Sequence, residues 1–141
     1  MYLNLPSITV SHIEEKDRLD YHVYAEPAQD TMSCQGCGST ALYGHGTKTS
    51  LYIDTPMHGR RVGILLTRKR HKCRSCGITF LTRCDDINDK HRATNRLVSY
   101  VESHGLVRTF TSIANEVGIA ESTVRKIVGG LIGRLEQKIP F

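Results

Sequence analysis

Two Cys-x-x-Cys pairs, each followed by a glycine, restrict what this chain can fold into more than any other feature of its sequence. The pairs are formed by Cys34 with Cys37 and by Cys73 with Cys76. Two intervening residues let both sulfurs of a pair point at one ion from a tight turn, and the following glycine permits a positive φ. Four thiolates complete a tetrahedral shell and leave no position for water. We therefore predict one structural Zn²⁺ per chain, whose binding supplies much of the folding energy of this segment.

The chain has 5 cysteines, so Cys84 is left over, and we expect it to be a packed or partly exposed thiol. A disulfide framework usually needs an even number of cysteines and an oxidising compartment, and neither is indicated. Three alternatives stay open: free or redox-active thiols, iron in a rubredoxin-like site, and His71 as a substitute ligand.

Hydrophobic periodicity and turn residues divide the chain into three predicted parts. Residues 1–33 read as an N-terminal β-hairpin, because Ser7–Ile13 and Tyr21–Ala25 alternate polar and apolar residues around a polar turn at 14–18. Residues 34–84 read as a four-cysteine, zinc-ribbon-like β module in which a long hairpin separates the two cysteine pairs. Residues 85–91 are predicted to be a linker that opens the third part, residues 85–141.

That third part has the pattern of a three-helix, helix-turn-helix DNA-binding domain. Thr94 is predicted to cap a first helix that ends at Gly105, and a second short helix contains Ile113, Ala114 and Val117. Gly118 is predicted to form the tight turn before a recognition helix, which starts near Glu121 without a good cap at Ala120. The predicted fold class is therefore α+β: a β-hairpin and a zinc-ribbon-like module followed by a helix-turn-helix domain.

Positive charge is concentrated in the middle third of the chain. Cys34–Cys84 has nine bases and one acid, Asp54, in a chain whose net charge is +5. A polyanion is the natural partner of such a segment, although a charged edge strand that resists aggregation is the alternative. We predict that double-stranded DNA is contacted through its phosphates by the basic strand and through its bases by the last helix. The strand residues are Arg68, Lys69, Arg70, Lys72 and Arg74, and the helical residues are Thr111, Ser122, Thr123, Arg125 and Lys126.

These motifs together resemble the N-terminal region of the ISL-three family of bacterial insertion-sequence transposases. The resemblance rests on Leu5-Pro6, Cys34–Ser39, His45-Gly46, Arg68–Gly77, Phe80, Thr94–Leu97, Ile113–Ile119 and Thr123-Val124. It implies a module that recognises the terminal inverted repeats of the element, while a downstream RNase H-like domain with an acidic triad cuts the DNA. We predict that Asp54, Asp85, Asp86 and Asp89 lie in turns and a linker, and we assign them no catalysis. The chain is thus predicted to be the DNA-recognition part of a transposase, or a stand-alone regulator of transcription derived from one.

Two other classes of function compete with DNA recognition. One is a zinc-stabilised protein–protein interaction module that acts in transcription or in a transposition complex. The other is a small zinc nuclease or hydrolase, which would need an open coordination position, so we predict that the chain is not an enzyme. Because the sequence has neither a secretory signal nor a long apolar run, we expect a cytoplasmic, nucleoid-associated protein without a membrane partner. The oligomeric state stays open, with a homodimer as one option.

Overall fold

The computed structural model describes residues 4–15 and 20–138, which form seven strands and three helices. The predicted turn of the first hairpin includes residues 16–18, which lie outside the described residues. The strands are β1 (Ile8–Glu15), β2 (Asp20–Pro27), β3 (Leu42–Met57), β4 (Arg60–Cys73), β5 (Thr79–Leu81), β6 (Ile87–Asn88) and β7 (Ala93–Thr94). The helices are α1 (Asn95–His104), α2 (Phe110–Val117) and α3 (Glu121–Gln137).

All seven strands belong to one mixed sheet. Its order is β1-β2-β4-β3-β7-β6, with β5 paired to β4 beyond the end of β2. The β1–β2, β3–β4, β4–β5 and β6–β7 pairs are antiparallel, whereas β2 runs parallel to β4 and β7 runs parallel to β3. The long β3–β4 hairpin is the centre of the molecule, because both the N-terminal strands and the later strands are added to it.

Two apolar clusters lie on opposite faces of this sheet. Tyr52 belongs to the first cluster, in which β1, β2 and β4 bury residues such as Val23 and Ile64. The neighbouring residue, Ile53, packs against the second cluster, which the helices form around Leu97. Consecutive residues of a strand point to opposite faces, so the helices cover one face and the first cluster lies on the other.

The predicted fold class is wrong in its second half, because the three helices do not form an independent helix-turn-helix domain. They pack on the sheet through Ile53 of β3 and Ala93 of β7, and the predicted linker itself contributes β6 to that sheet. Helical periodicity identifies the apolar face of each helix, but it does not identify the element that covers that face. The protein is a sheet-dominated mixed fold with three helices packed on it. The predicted domain boundaries at residues 33 and 84 stay a prediction.

Local signals at the helix ends are as the sequence predicts. The Thr94 side chain accepts a hydrogen bond from the backbone N–H of Leu97, and α1 ends at Gly105. Gly118 ends α2 with a φ of 83°, in the left-handed region that favours glycine. Ala120 precedes α3 without a side-chain cap. Among the helices that the structure describes, none combines the length and the apolar character needed to cross a bilayer.

Candidate metal centre and nucleic-acid interface

The two cysteine pairs form a pair of closely similar turns. In the first, the N–H of Gly38 donates to the Cys34 carbonyl at 3.0 Å, and in the second the N–H of Gly77 donates to the Cys73 carbonyl at 2.9 Å. Gly38 and Gly77 have φ values of 77° and 78°, which a residue with a Cβ adopts only with strain. The trailing glycine of each pair is therefore required by the shape of the turn.

Strand pairing brings these turns together, although they are far apart in sequence. Leu42 at the start of β3 is opposite Cys73 at the end of β4. The N–H of Arg74 donates to the Ala41 carbonyl at 2.8 Å, and the hydroxyls of Ser39 and Ser75 hydrogen-bond at 2.9 Å. Pairing of β3 with β4 thus places the two cysteine turns side by side, as the sequence predicts.

The four sulfurs occupy positions that suit one tetrahedral ion. Their Sγ atoms all lie within 4.8 Å of one another, with Cys34 and Cys76 3.5 Å apart and Cys37 and Cys73 3.6 Å apart. Four Zn–S bonds of about 2.3 Å in a tetrahedron require neighbouring sulfurs about 3.8 Å apart. The residues present therefore fit one structural zinc, bound entirely by thiolates.

Backbone N–H groups favour the thiolate forms that a metal needs. The N–H of Cys37 is the main cause that lowers the pKa of Cys34, and the N–H of Gly36, 3.3 Å from the same sulfur, acts in the same direction. The N–H of Cys76 similarly contributes most to lowering the pKa of Cys73, to about 6. The turns thus supply the positions of the sulfurs and stabilise the charge on Cys34 and Cys73.

The other sulfur and imidazole candidates are engaged elsewhere. Cys84 is buried, and its Sγ donates to the Ser7 carbonyl at 3.8 Å. The ring of His71 hydrogen-bonds the Thr82 hydroxyl at 3.1 Å and lies beside Phe80. Within residues 4–15 and 20–138, the four cysteines are the single group of potential ligands close enough to hold a metal.

Most of the predicted phosphate contacts on β4 and the second turn reach the surface. Lys69 and Arg74 are exposed, whereas Arg70 and Lys72 are partly buried. The Arg74 guanidinium lies 5.0 Å from the centre of the Tyr43 ring, and the Lys69 ammonium is 3.7 Å from a carboxylate oxygen of Asp30. Both partners of the Lys69–Asp30 pair are exposed, so that pair is weak enough for a phosphate to displace.

Arg68 differs from the prediction, because it points into the protein. It is 5% exposed, and its guanidinium hydrogen-bonds the Tyr52 hydroxyl and lies 2.9 Å from Oδ1 of Asp89. The Tyr52 hydroxyl also donates to that oxygen at 2.6 Å. The alternation of β4 places Arg68 on the same face as the buried residues Val62, Ile64 and Leu66. The run of basic residues around Arg68 gives no sign of this burial in the sequence.

The predicted base contacts of α3 lie at its exposed start. Ser122, Arg125 and Lys126 are exposed, and Thr123 is partly buried. Glu121 binds two of the predicted contacts: it accepts from the Thr111 hydroxyl at 3.1 Å and from Arg125 at 3.0 Å. The structure therefore brings Thr111 next to the start of α3, but this set is separate from the basic residues of β4.

Asp54, Asp86 and Asp89 bind other parts of the described structure, whereas Asp85 pairs with the exposed side chain of Arg83. Asp54 lies in β3, not in a turn, and its buried carboxylate accepts from the Thr94 hydroxyl at 2.7 Å and from Nε of Arg96 at 2.8 Å. Asp86 accepts from the N–H of Ser7 at 2.9 Å, and Asp89 binds Arg68. The sequence alone does not reveal this contact, because the burial of Asp54 and its position beside Thr94 and Arg96 are set by the tertiary structure.

A sheet that carries two cysteine turns on one hairpin, with four sulfurs around one metal position, defines a zinc ribbon. Residues 30–76 match the family described as the zinc-finger of transposase IS204/IS1001/IS1096/IS1165. The transposase for insertion sequence element IS1001 of Bordetella parapertussis is 31% identical over 75 residues, which cover 53% of this chain and 18% of that protein. The resemblance to ISL-three transposases is thereby confirmed for the zinc-ribbon region. No solved structure matches this chain.

Proposed function

We propose that this chain binds double-stranded DNA as the recognition part of an ISL-three type transposase or of a regulator derived from one. The observation that carries this proposal is the joining of a transposase-type zinc ribbon to a strand pair whose surface is basic. Lys69, Arg70, Lys72 and Arg74 surround the end of β4 next to the metal position, where they suit phosphate oxygens.

Sequence preference is assigned to the start of α3. Ser122, Thr123, Arg125 and Lys126 offer hydroxyls, a guanidinium and an ammonium, which are groups that hydrogen-bond base edges and phosphates.

The turn before α3 lies against Arg61 of β4, since a Cβ added to Gly118 would be 2.8 Å from the Cδ of Arg61. The stretch of β4 from Arg61 to Lys72 spans roughly 35 Å. The two sets therefore lie near opposite ends of β4, and Arg70 and Lys72 lie on the face of the strand that points away from the helices.

The proposal assigns the chain no catalytic step. The carboxylates of Asp54, Asp86 and Asp89 are already bound by Arg96, Ser7 and Arg68 respectively. A thiolate shell with four protein ligands leaves no coordination position for a reacting water. The proposed role of the zinc is therefore to hold the two turns and the basic side chains around them.

A protein-interaction module is the second candidate. It is favoured by the exposed apolar side chains of Leu106 and Val107, which are 57% and 79% exposed in the segment between α1 and α2. Under this reading, DNA affinity would be weak and would not depend on α3.

The experiment is to purify the zinc-loaded protein, quantify its zinc, and select bound sequences from a random duplex pool at near-physiological salt. We expect about one zinc per chain and an enriched motif. R125A/K126A should weaken binding to that motif more than to random DNA, whereas R70A/K72A should weaken both and flatten the salt dependence. R134A is the matched control, because Arg134 also pairs with a glutamate, Glu102, but lies in the second half of α3.

Equal losses from both double variants would overturn the division between base and phosphate contacts. The absence of any measurable DNA binding by the zinc-loaded protein would overturn the proposal as a whole. In that case a partner that masks Leu106 and Val107 becomes the hypothesis to test.

A further inference from the structure

The part of the β3–β4 hairpin nearest the cysteine turns carries an exposed row of threonines. Thr49 lies directly opposite Thr67, and Thr47 lies opposite Lys69. All four side chains are exposed, and the hydroxyls of Thr49 and Thr67 hydrogen-bond at 2.7 Å. Because alternate residues of a strand share a face, these residues form one surface, which we call the threonine face.

No described element covers this surface. The threonine face continues the side of β3 on which Ile53 packs against the helices, but Leu51, between the two regions, is already 42% exposed. On its outer edge β3 pairs with β7 at Ile53 and with nothing else in the described residues before that point. The hairpin therefore extends beyond the helical layer towards the zinc position. The outer edge of β3 has no described partner strand there, while β5 borders β4 from Arg70 to Lys72.

The charge around the threonine face favours an anionic partner. The whole segment from Cys34 to Cys84 contains a single acid, Asp54, which is 1% exposed and paired with Arg96. Lys69 is exposed and is part of the face, whereas Lys48, opposite Arg68, lies on the other face of β3. Asp30 is the acid that reaches Lys69, at 3.7 Å between exposed groups. Duplex DNA suits this surface better than a protein partner, because none of the four residues of the threonine face has a large apolar side chain.

The dimensions and chemistry of the ribbon fit a DNA groove. Paired strands lie about 4.8 Å apart, and the major groove, about 12 Å wide, admits a two-stranded ribbon. A threonine offers a hydroxyl that both donates and accepts, and a methyl that packs on the methyl of thymine. We propose that the threonine face lies in the major groove of bound DNA and contributes base contacts of its own. This inference rests on the proposed DNA binding, to which it adds a third contact surface.

The first test places a negative charge on the face. T49E should reduce affinity for a labelled duplex of the selected sequence by at least about tenfold, because like charges repel at a close interface. T9E is the matched control, because Thr9 is an exposed threonine of β1, an edge strand separated from β3 by β2 and β4. Both variants should keep their zinc and their circular dichroism spectrum, which shows that the loss does not come from unfolding.

The second test removes only the hydroxyls. T49V/T67V keeps the shape and strand preference of the pair, so it should lower affinity for the selected sequence by several-fold, leave random-sequence binding unchanged, and keep the salt dependence. T9V is its control. If T49E and T49V/T67V bind like the parent while R70A/K72A has lost affinity, the threonine face is not a contact, although DNA binding stands. If the zinc-loaded parent binds no duplex, the proposed function and this inference both fail.

Discussion

Asp54 of β3 and Arg96 of α1 form an ion pair that fastens the helical layer to the central sheet. Nε of Arg96 lies 2.8 Å from Oδ1 of Asp54, which is also 2.7 Å from the Thr94 hydroxyl and 2.8 Å from the Thr55 N–H. The Thr94 hydroxyl in turn accepts from the first turn of α1. One buried carboxylate thus fixes the position of a strand, a helix cap and a guanidinium.

Replacing Asp54 with asparagine should lower the free energy of unfolding by about 2–4 kcal/mol, since an amide keeps the volume but removes the buried negative charge that faces the guanidinium of Arg96. Urea unfolding followed by circular dichroism measures the change. D85N is the control, because the Asp85–Arg83 pair is highly exposed and should cost less than about 0.5 kcal/mol. Similar losses in the two variants would contradict the role of Asp54.

Metal content should separate the four clustered cysteines from Cys84. C37S removes one thiolate from the shell, so the purified protein should contain well below one zinc per chain. Its circular dichroism spectrum should show a loss of β-structure, because the metal no longer holds the ends of the β3–β4 hairpin together. C84S should keep about one zinc per chain, because that thiol contacts the Ser7 carbonyl and no other cysteine. Chelation of zinc from the parent protein should reproduce the effect of C37S. Full zinc content in C37S would show that the site is not the one described.

The zinc ribbon was predictable from the sequence, whereas the arrangement around it was not. Two Cys-x-x-Cys-Gly pairs dictate a local turn and a ligand set, and those requirements do not depend on the rest of the fold. The same is true of the Thr94 cap and the turn at Gly118. The parallel pairing of β2 with β4, and of β7 with β3, joins segments distant in sequence, for which no local pattern exists. For that reason the sequence predicts a separate helical domain, whereas the three helices pack on one face of the sheet.

Arg68 and Arg70 should behave differently, although both are arginines of β4. R68A leaves Asp89 and the hydroxyl of Tyr52 without their shared cation, and should cost about 2–4 kcal/mol of unfolding free energy. R70A should change stability by less than about 1 kcal/mol and act instead on DNA affinity. Denaturant unfolding and a binding titration on both variants test this. A stable R68A protein with reduced DNA affinity would restore the original assignment of Arg68 to phosphate contact.

The phenol of Tyr52 should make the stability depend on alkaline pH. Burial, with the hydrogen bond to Asp89, raises its pKa from 10.0 to about 12. The folded protein therefore keeps a proton that the unfolded chain releases, so this contribution to stability is complete below about pH 10 and declines as the pH rises towards 12. Y52F should remove that decline, which unfolding curves measured across this range would show. A decline of the same size in Y52F would assign the effect to another group.

Two glycines of the helical layer should respond in opposite directions to the same substitution. Gly118 has a φ of 83°, and a Cβ there would lie 2.8 Å from Cδ of Arg61. G118A should therefore lower the free energy of unfolding by about 1–3 kcal/mol, from backbone strain and from displacement of the arginine.

Gly133, inside α3, has open space where a Cβ would lie. G133A should raise the free energy of unfolding by up to about 1 kcal/mol, because alanine loses less backbone entropy in a helix. Thermal and denaturant unfolding of the two variants give the signs directly. A destabilised G133A protein would mean that the open side of α3 is closely packed, and a neutral G118A would mean that the turn before α3 tolerates a side chain.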